Sequence, residues 1–353
     1  MAKSNALCYG PFVFIIICYL LYVPLPENIS DRTKLQIFET FVRLFYRYPI
    51  TDTKFDGVPV RLYEPLNRTS DGAVIFIHGG GFVLFSLNSY EGAVREIASS
   101  SGVLTVSIDY RLAPEFKFPS GLEDCIRATT YFMKNARQLF GVSPTNIAIA
   151  GTNLVISISA VCRLEDTLLS TLSKEYSNTA LLDADSIARW ILLYLGLDTK
   201  YAVDALENNH ITPEIHSTVQ KLFSHDDLPQ RYHYSYYQPP RPTNNGISYD
   251  RNSDDLKKLH RLLLNPDFSP LMQPDLTGMP ETYLVTCEYD VLRDEGFWYA
   301  KRLRAAGNRV IHRHYETGFH AMINFYSEIR IGQEALLEIG DYLRTALAGF
   351  SDV

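Results

Sequence analysis

The chain has 353 residues, 46% of them hydrophobic and 21% charged, with a formal net charge of −7. That balance is globular rather than disordered, and the absence of any basic run argues against nucleic acid as a partner. Five cysteines (Cys8, Cys18, Cys125, Cys162 and Cys287) lie far apart without C-x-x-C spacing, so they form neither a metal site nor a disulfide framework, although one bridge stays open to them.

From Ser4 to Pro26 there is no charged residue, and Phe12 to Val23 is dense in Ile, Leu, Tyr and Phe. The stretch is just long enough to cross a bilayer and is read as a membrane anchor over residues 1–26. A cleaved signal peptide is the competing reading, but Val23-Pro24-Leu25-Pro26 is a poor cleavage context. A buried helix is the third. Lys3 favours a cytoplasmic N-terminus. Residues 27–353 would then be lumenal, in agreement with a glycosylation sequon at Asn67-Arg68-Thr69. A second sequon, Asn28-Ile29-Ser30, lies close to the membrane.

Arg32 to Tyr48 has apolar residues at helical spacing and reads either as a lid element or as a plain surface helix. Asp52 to Tyr63 alternates as a strand does. Ala73 to Ile77 is continuously apolar, as in a strand buried on both faces. Helices follow over Tyr90 to Ser101 and Gly121 to Phe140, with buried strands at Val103 to Ile108 and Asn146 to Ala150. The last third reads as strand Thr282 to Cys287, helix Asp294 to Ala306, strand Arg309 to His314 and helix Ile331 to Ala348. Between these runs lies a segment at about residues 200–270, rich in Tyr, Pro, Asn and Asp, which reads as a helical cap inserted into the sheet domain. Strands alternating with helices predict an α/β fold with a mostly parallel sheet covered on both faces. Ligands on such sheets bind beyond the carboxyl ends of the strands. His78, Gly151, Asp290 and His320 all fall at such ends.

Acyl transfer needs a nucleophile, a base, an orienting acid and donors for the developing oxyanion. His78-Gly79-Gly80-Gly81 after an apolar strand has the form of an oxyanion loop, in which glycines let backbone N–H groups face a carbonyl oxygen. A flexible turn is the plainer reading. Asp290 is placed to accept Nδ1–H of a histidine; a helix N-cap or a surface acid is its alternative. His320, one of nine histidines, is singled out by order along the chain: elbow, then Asp, then His. His312 and His314 read as packing or surface residues. The nucleophile elbow G-x-S-x-G belongs after the strand ending at Ala150, yet the chain reads Gly151-Thr152-Asn153-Leu154-Val155.

These motifs resemble the arylacetamide deacetylase branch of the hormone-sensitive-lipase-like carboxylesterases. The resemblance rests on His78 to Phe82, Asp109 to Glu115, Phe118-Pro119, Leu122 to Cys125, Ser269-Pro270-Leu271, Tyr289 to Gly296 and Gly318-Phe319-His320. It implies an α/β-hydrolase fold and a serine esterase anchored in the endoplasmic-reticulum membrane, facing the lumen. Lipophilic esters and amides would be its small-molecule partners, membrane lipid its anchor partner, and no metal or organic cofactor would be needed.

The departures from that pattern are specific. The family elbow is G-D-S-A-G-G-N-L. Either Asn153 replaces its serine, or four residues are deleted and Asn153-Leu154 matches the final N-L; the second alignment keeps a helix-like Asn153 to Ala160 in register. A core strand expected after Cys162 is not found. Trp190 to Leu195 could substitute for it but fits the family's cap helix better. Phe85 stands where the family favours glycine. An amide such as Asn153 is not an activatable nucleophile. Thr152 is β-branched and suits a strained turn poorly, and Ser157 and Ser159 lie further along the helix. Three readings follow: an esterase with an unconventional nucleophile, a silent relative that binds ester-like ligands, or a shortened product of a gene whose full form is active. The sequence favours an inactive chain.

Overall fold

The computed structural model describes residues 50–152, 182, 184–206, 212–222, 224–232 and 254–348. The anchor segment, the Asn28 sequon, the helix read over Arg32 to Tyr48, and Asn153, Ser157, Ser159 and Cys162 lie outside the described residues, as do residues 233–253 of the cap reading. Cys8 and Cys18 fall with the anchor. Cys125 and Cys287 are free thiols, both buried.

Strands β1 (Ile50–Phe55) and β2 (Val58–Tyr63) form an antiparallel hairpin that pairs Phe55 with Val58 and Ile50 with Tyr63. The alternation from Asp52 to Tyr63 predicts one strand; the structure breaks it at Asp56 and Gly57, where φ is +47° and +82°. Two positive φ values are what a tight, right-twisted hairpin demands, and Asp-Gly supplies them. β2 runs antiparallel to β4 (Leu104–Ile108). β4 runs parallel to β3 (Ala73–Ile77), and β3 parallel to β5 (Ile147–Gly151). The strand order is β1-β2-β4-β3-β5.

The side chains of β3 alternate between two layers. Ile75 faces α2 (Ser120–Phe140), in a cluster with Phe55, Ala128, Phe132 and Ala136. Val74 and Phe76 face α1 (Glu91–Ser101), packing with Val94 and Ile97. Phe132 has no exposed surface, and Phe55 stacks on it at 5.8 Å. Burying a side chain of that size stabilises the fold by about 2–3 kcal/mol.

Among the described residues between β5 and β6 come four α-helices: α3 (Ala184–Leu195), α4 (Ala202–Leu206), α5 (Pro213–Gln220) and α6 (Asp254–Leu263). Trp190 to Leu195 is therefore helical and is not a substitute strand. Ile191, Leu192 and Leu195 of α3 pack with Leu259, Leu263, Phe268 and Leu271. A second sheet follows, β6 (Thr282–Tyr289) parallel to β7 (Val310–Phe319), with α7 (Arg293–Ala305) between them in sequence. Both strands run past the ends read from sequence, so Asp290 and His320 each fall one residue beyond a strand.

The C-terminal helix α8 (Arg330–Ala346) joins the two sheets. One face meets the second sheet: Ala335 packs with Cys287 and Tyr315, and Glu338 accepts both Arg313 (2.8 Å) and the Tyr315 hydroxyl (2.7 Å). The other face meets α1, where Gly340 lies so close to Ser100 that a β-carbon there would overlap its hydroxyl.

Among the described residues β5 pairs only with β3 and β6 only with β7, so the strands form two sheets. The expectation of a core strand lost after Cys162 falls at this break. No residue of β5 is fully buried, and Ile149 is 57% exposed. A strand inside a parallel sheet is normally covered on both faces.

Candidate active site

Parallel pairing of β3 with β4 and β5 aligns Ile77 with Ile108 and with Gly151. The exits of these strands therefore share one edge, and the next residues are His78, Asp109 and Thr152. The His78 ring is 1% exposed and points into the interior. It stacks on Tyr110 at 4.4 Å, and the Tyr110 hydroxyl donates to the His78 carbonyl at 2.8 Å. Its Nδ1–H donates to the Gly79 carbonyl, also at 2.8 Å. Burial pushes its pKa down to about 4, so the ring is neutral near pH 7. His78 thus anchors the loop from inside, below a turn in which Gly79 and Gly80 are buried and Gly81 is half-buried.

Gly80 has φ +120° and Gly81 φ +59°. A β-carbon at Gly80 would overlap the Leu84 carbonyl, and one at Gly81 would stand 2.7 Å from Trp190 Cε3. The Gly80 carbonyl accepts from Val83 N–H (3.1 Å) and Leu84 N–H (2.9 Å), closing the turn. Among the described residues no acceptor takes the Gly80 or Gly81 N–H. Fixed backbone donors of this kind are what a developing oxyanion requires. Phe85 follows at φ +73°, which explains why glycine suits that position. A non-glycine residue there costs about 1–2 kcal/mol of backbone strain. Helix α3 covers the turn: Trp190 lies against Gly81, and Tyr194 stacks on Phe82 at 4.0 Å.

The acid and base meet. His320 Nδ1 lies 3.0 Å from both carboxylate oxygens of Asp290. Asp290 Oδ1 also accepts the Leu292 N–H at 2.8 Å, so its turn-capping role and its role toward the histidine coexist. Donation from Nδ1–H leaves Nε2 as the free basic atom of the neutral ring. Burial disfavours the charged imidazole, but the Asp290 carboxylate beside it outweighs burial and raises the pKa.

Thr152 points elsewhere. Its hydroxyl donates to Tyr90 Oη at 3.0 Å. Tyr90 is 1% exposed; burial raises its pKa, and Thr152, the Asn324 side chain and the Gly79 N–H around its hydroxyl hold it back. One phenol thus links the glycine turn, the exit of β5 and the loop after His320. No local sequence signal marked it, because its partners lie far away in the chain. Among the described residues no hydroxyl bonds to the His320 ring, and no cluster of His, Cys, Asp or Glu could hold a metal ion.

A buried glycine turn at the carboxyl edge of one sheet and an Asp–His pair at the carboxyl ends of the other define a hydrolase-type α/β site. The family model for the alpha/beta hydrolase fold matches residues 74–263 and 248–324, and the chain belongs to that family. Among its relatives is the arylacetamide deacetylase of Bos taurus, 29% identical over 383 aligned positions, which cover 89% of this chain and 94% of the relative. Neutral cholesterol ester hydrolase 1 of Mus musculus is 29% identical over 381 positions, with coverage of 88% and 90%. Both alignments are longer than this chain's 353 residues, so both relatives carry residues that it lacks. The esterase of Pyrobaculum calidifontis matches in structure with a TM-score of 0.63 and 25% identity, covering 95% of this chain and 99% of its own. The resemblance to the arylacetamide deacetylase branch and the α/β-hydrolase fold are both as the sequence predicts.

The raised His320 pKa fixes a sign for pH dependence. The charged pair contributes stability fully below the ordinary imidazole value of about 6.5 and loses it as pH rises through the folded value. Urea melts of wild type and Asp290→Asn are expected to differ most near about pH 5.5 and to converge toward about pH 9. A gap that widens with pH would contradict the pairing.

Proposed function

We propose that this chain is a silent relative of the carboxylesterases, which takes lipophilic esters or amides to the Gly79-Gly80-Gly81 turn without forming an acyl-enzyme. The observation that carries this reading is the exit of β5. An Asp–His pair and free backbone donors are present, but the sequence Gly151-Thr152-Asn153 offers no elbow serine and the Thr152 hydroxyl is committed to Tyr90. In a well-studied protease, removal of the triad serine lowers kcat by about 10⁶-fold. Asp290 in this reading orients His320, His320 is an unused base, and the glycine turn is the anion cradle.

The test combines two readouts on the purified chain. Trp190 touches the turn, and Trp298 is the only other tryptophan. In a Trp298→Phe background, p-nitrophenyl butyrate is expected to change the Trp190 emission while hydrolysis stays at the rate of the His320→Ala variant. A fluorophosphonate probe should label nothing. Labelling, or hydrolysis well above that of the variant, would refute the silent reading.

A second reading has its own support: a shortened relative from which the elbow and the next strand have been lost together. The sheet breaks between β5 and β6 among the described residues, and the aligned relatives carry residues that this chain lacks. Losing an interior strand strips ladder partners from two neighbours at once. Thermal melting by circular dichroism separates the readings. A cooperative melt supports the binding protein; a featureless one supports the shortened product.

The anchored, lumenal placement in the endoplasmic reticulum belongs to the same proposal. It rests on the uncharged segment from Ser4 to Pro26 and on Lys3. Among the described residues no helix is long and apolar enough to cross a membrane. Asn67 of the sequon is exposed, as a glycan acceptor must be. Endoglycosidase treatment of the chain from secretory cells should lower its mass; no change would count against lumenal exposure.

A further inference from the structure

The turn that carries Asp290 is braced by a buried charged network that the site itself does not use. Arg293 sits three residues after Asp290, its side chain fully buried. Its backbone N–H donates to the Asp290 carbonyl at 3.0 Å. Its guanidinium reaches back to Glu288 Oε1 at 2.9 Å and forward to Asp294 Oδ1 at 2.9 Å. One planar fork therefore spans both sides of residues 288–294. Its flat face lies 3.7 Å from the centre of the Tyr232 ring, a cation–π contact. The Tyr232 hydroxyl donates to Glu288 Oε2 at 2.6 Å, and His314 Nε2 lies 3.1 Å from the same oxygen. Tyr232 belongs to the segment between β5 and β6, near α5. The brace thus links that helical segment, β6, β7 and the start of α7.

We infer that Arg293 and Tyr232 are positioning residues: through Glu288 they hold the turn that presents the Asp290 carboxylate to His320. The argument is geometric. Asp290 lies one residue past the end of β6, where the strand ladder no longer fixes the backbone. Among the described residues its own side chain is anchored only by the Leu292 N–H and His320. What fixes the remainder of the turn is the Arg293 fork. Only a planar, multi-donor group satisfies two carboxylates and stacks on a ring at once, so Lys cannot replace it. Without the Arg293 fork, Glu288 and Asp294 would each lose a buried ion pair, and the turn between them would lose its brace.

The inference rests on the Asp290–His320 pairing, and its test works without enzymatic activity. The His320 ring is titrated by NMR in the full chain, in wild type and in Asp290→Asn, Arg293→Gln, Arg293→Lys and Tyr232→Phe. Wild type is expected to titrate above the ordinary histidine value. Asp290→Asn sets the lower limit. Arg293→Gln and Arg293→Lys are both expected to lower the midpoint by about 1 unit, and Tyr232→Phe to lower it less. The sign is diagnostic, because simple removal of a cation would raise the midpoint instead. The Lys variant separates geometry from charge. If Asp290→Asn leaves His320 unshifted, the pairing fails. If it shifts His320 while a folded Arg293 variant or Tyr232→Phe does not, the positioning role alone is overturned. Should the Arg293 variants not fold, Tyr232→Phe, which deletes one hydroxyl, decides the question.

Discussion

Parallel pairing around β3 is the constraint on which the rest depends. Because β3, β4 and β5 run the same way and in register, three unrelated stretches of sequence leave the sheet at one edge. A glycine turn, Asp109 and Thr152 become neighbours for reasons that have nothing to do with their chemistry. Buried strands on both faces demand long apolar runs, and those runs in turn fix where polar residues first become available. The site is the set of first polar positions after the ladder ends.

Within that edge, two kinds of control are visible. The glycine turn is shaped from below by the buried His78 and Tyr110, and from above by Trp190 and the Tyr194–Phe82 stack. The acid–base pair is shaped laterally, by a charged brace around β6. Tyr90 faces both sides: its hydroxyl bonds Thr152 and lies near the Gly79 N–H and the Asn324 side chain. Its hydroxyl occupies the place in the hydrogen-bond pattern where the exit of β5 meets the histidine loop. This arrangement gives the Thr152 hydroxyl a structural partner.

The fold was legible because its strands are short, apolar and separated by amphipathic helices. Element positions read from sequence agree with the structure to within a residue or two for β3, β4, β5, α1, α2 and α7. The errors have local causes. The β1–β2 hairpin reads as one strand because alternation continues across Asp56-Gly57, although that dipeptide carries the turn signal. β6 and β7 read short because Glu288, Glu316 and Thr317 look like strand ends; internal partners let β6 continue through Glu288. The glycine turn, Asp290 and His320 were legible through spacing and order. Tyr90, Tyr232 and Arg293 were not. Their importance comes from contacts between residues tens of positions apart, which neither period nor motif encodes. Phe85 lies between these cases: its identity departs from the family pattern in sequence, and only the positive φ shows why glycine belongs there.

Helix α8 gives the molecule a mechanical character. It is the beam between two sheets that, among the described residues, share no ladder. Glu338 and Ala335 bolt one side of it to the strand pair bearing the imidazole, while Gly340 lets the other side settle flush on α1. A bulkier residue at 340 would act as a shim. It would tilt the imidazole's half against the glycine turn's half, and so spoil their alignment without altering the identity of any residue of the site.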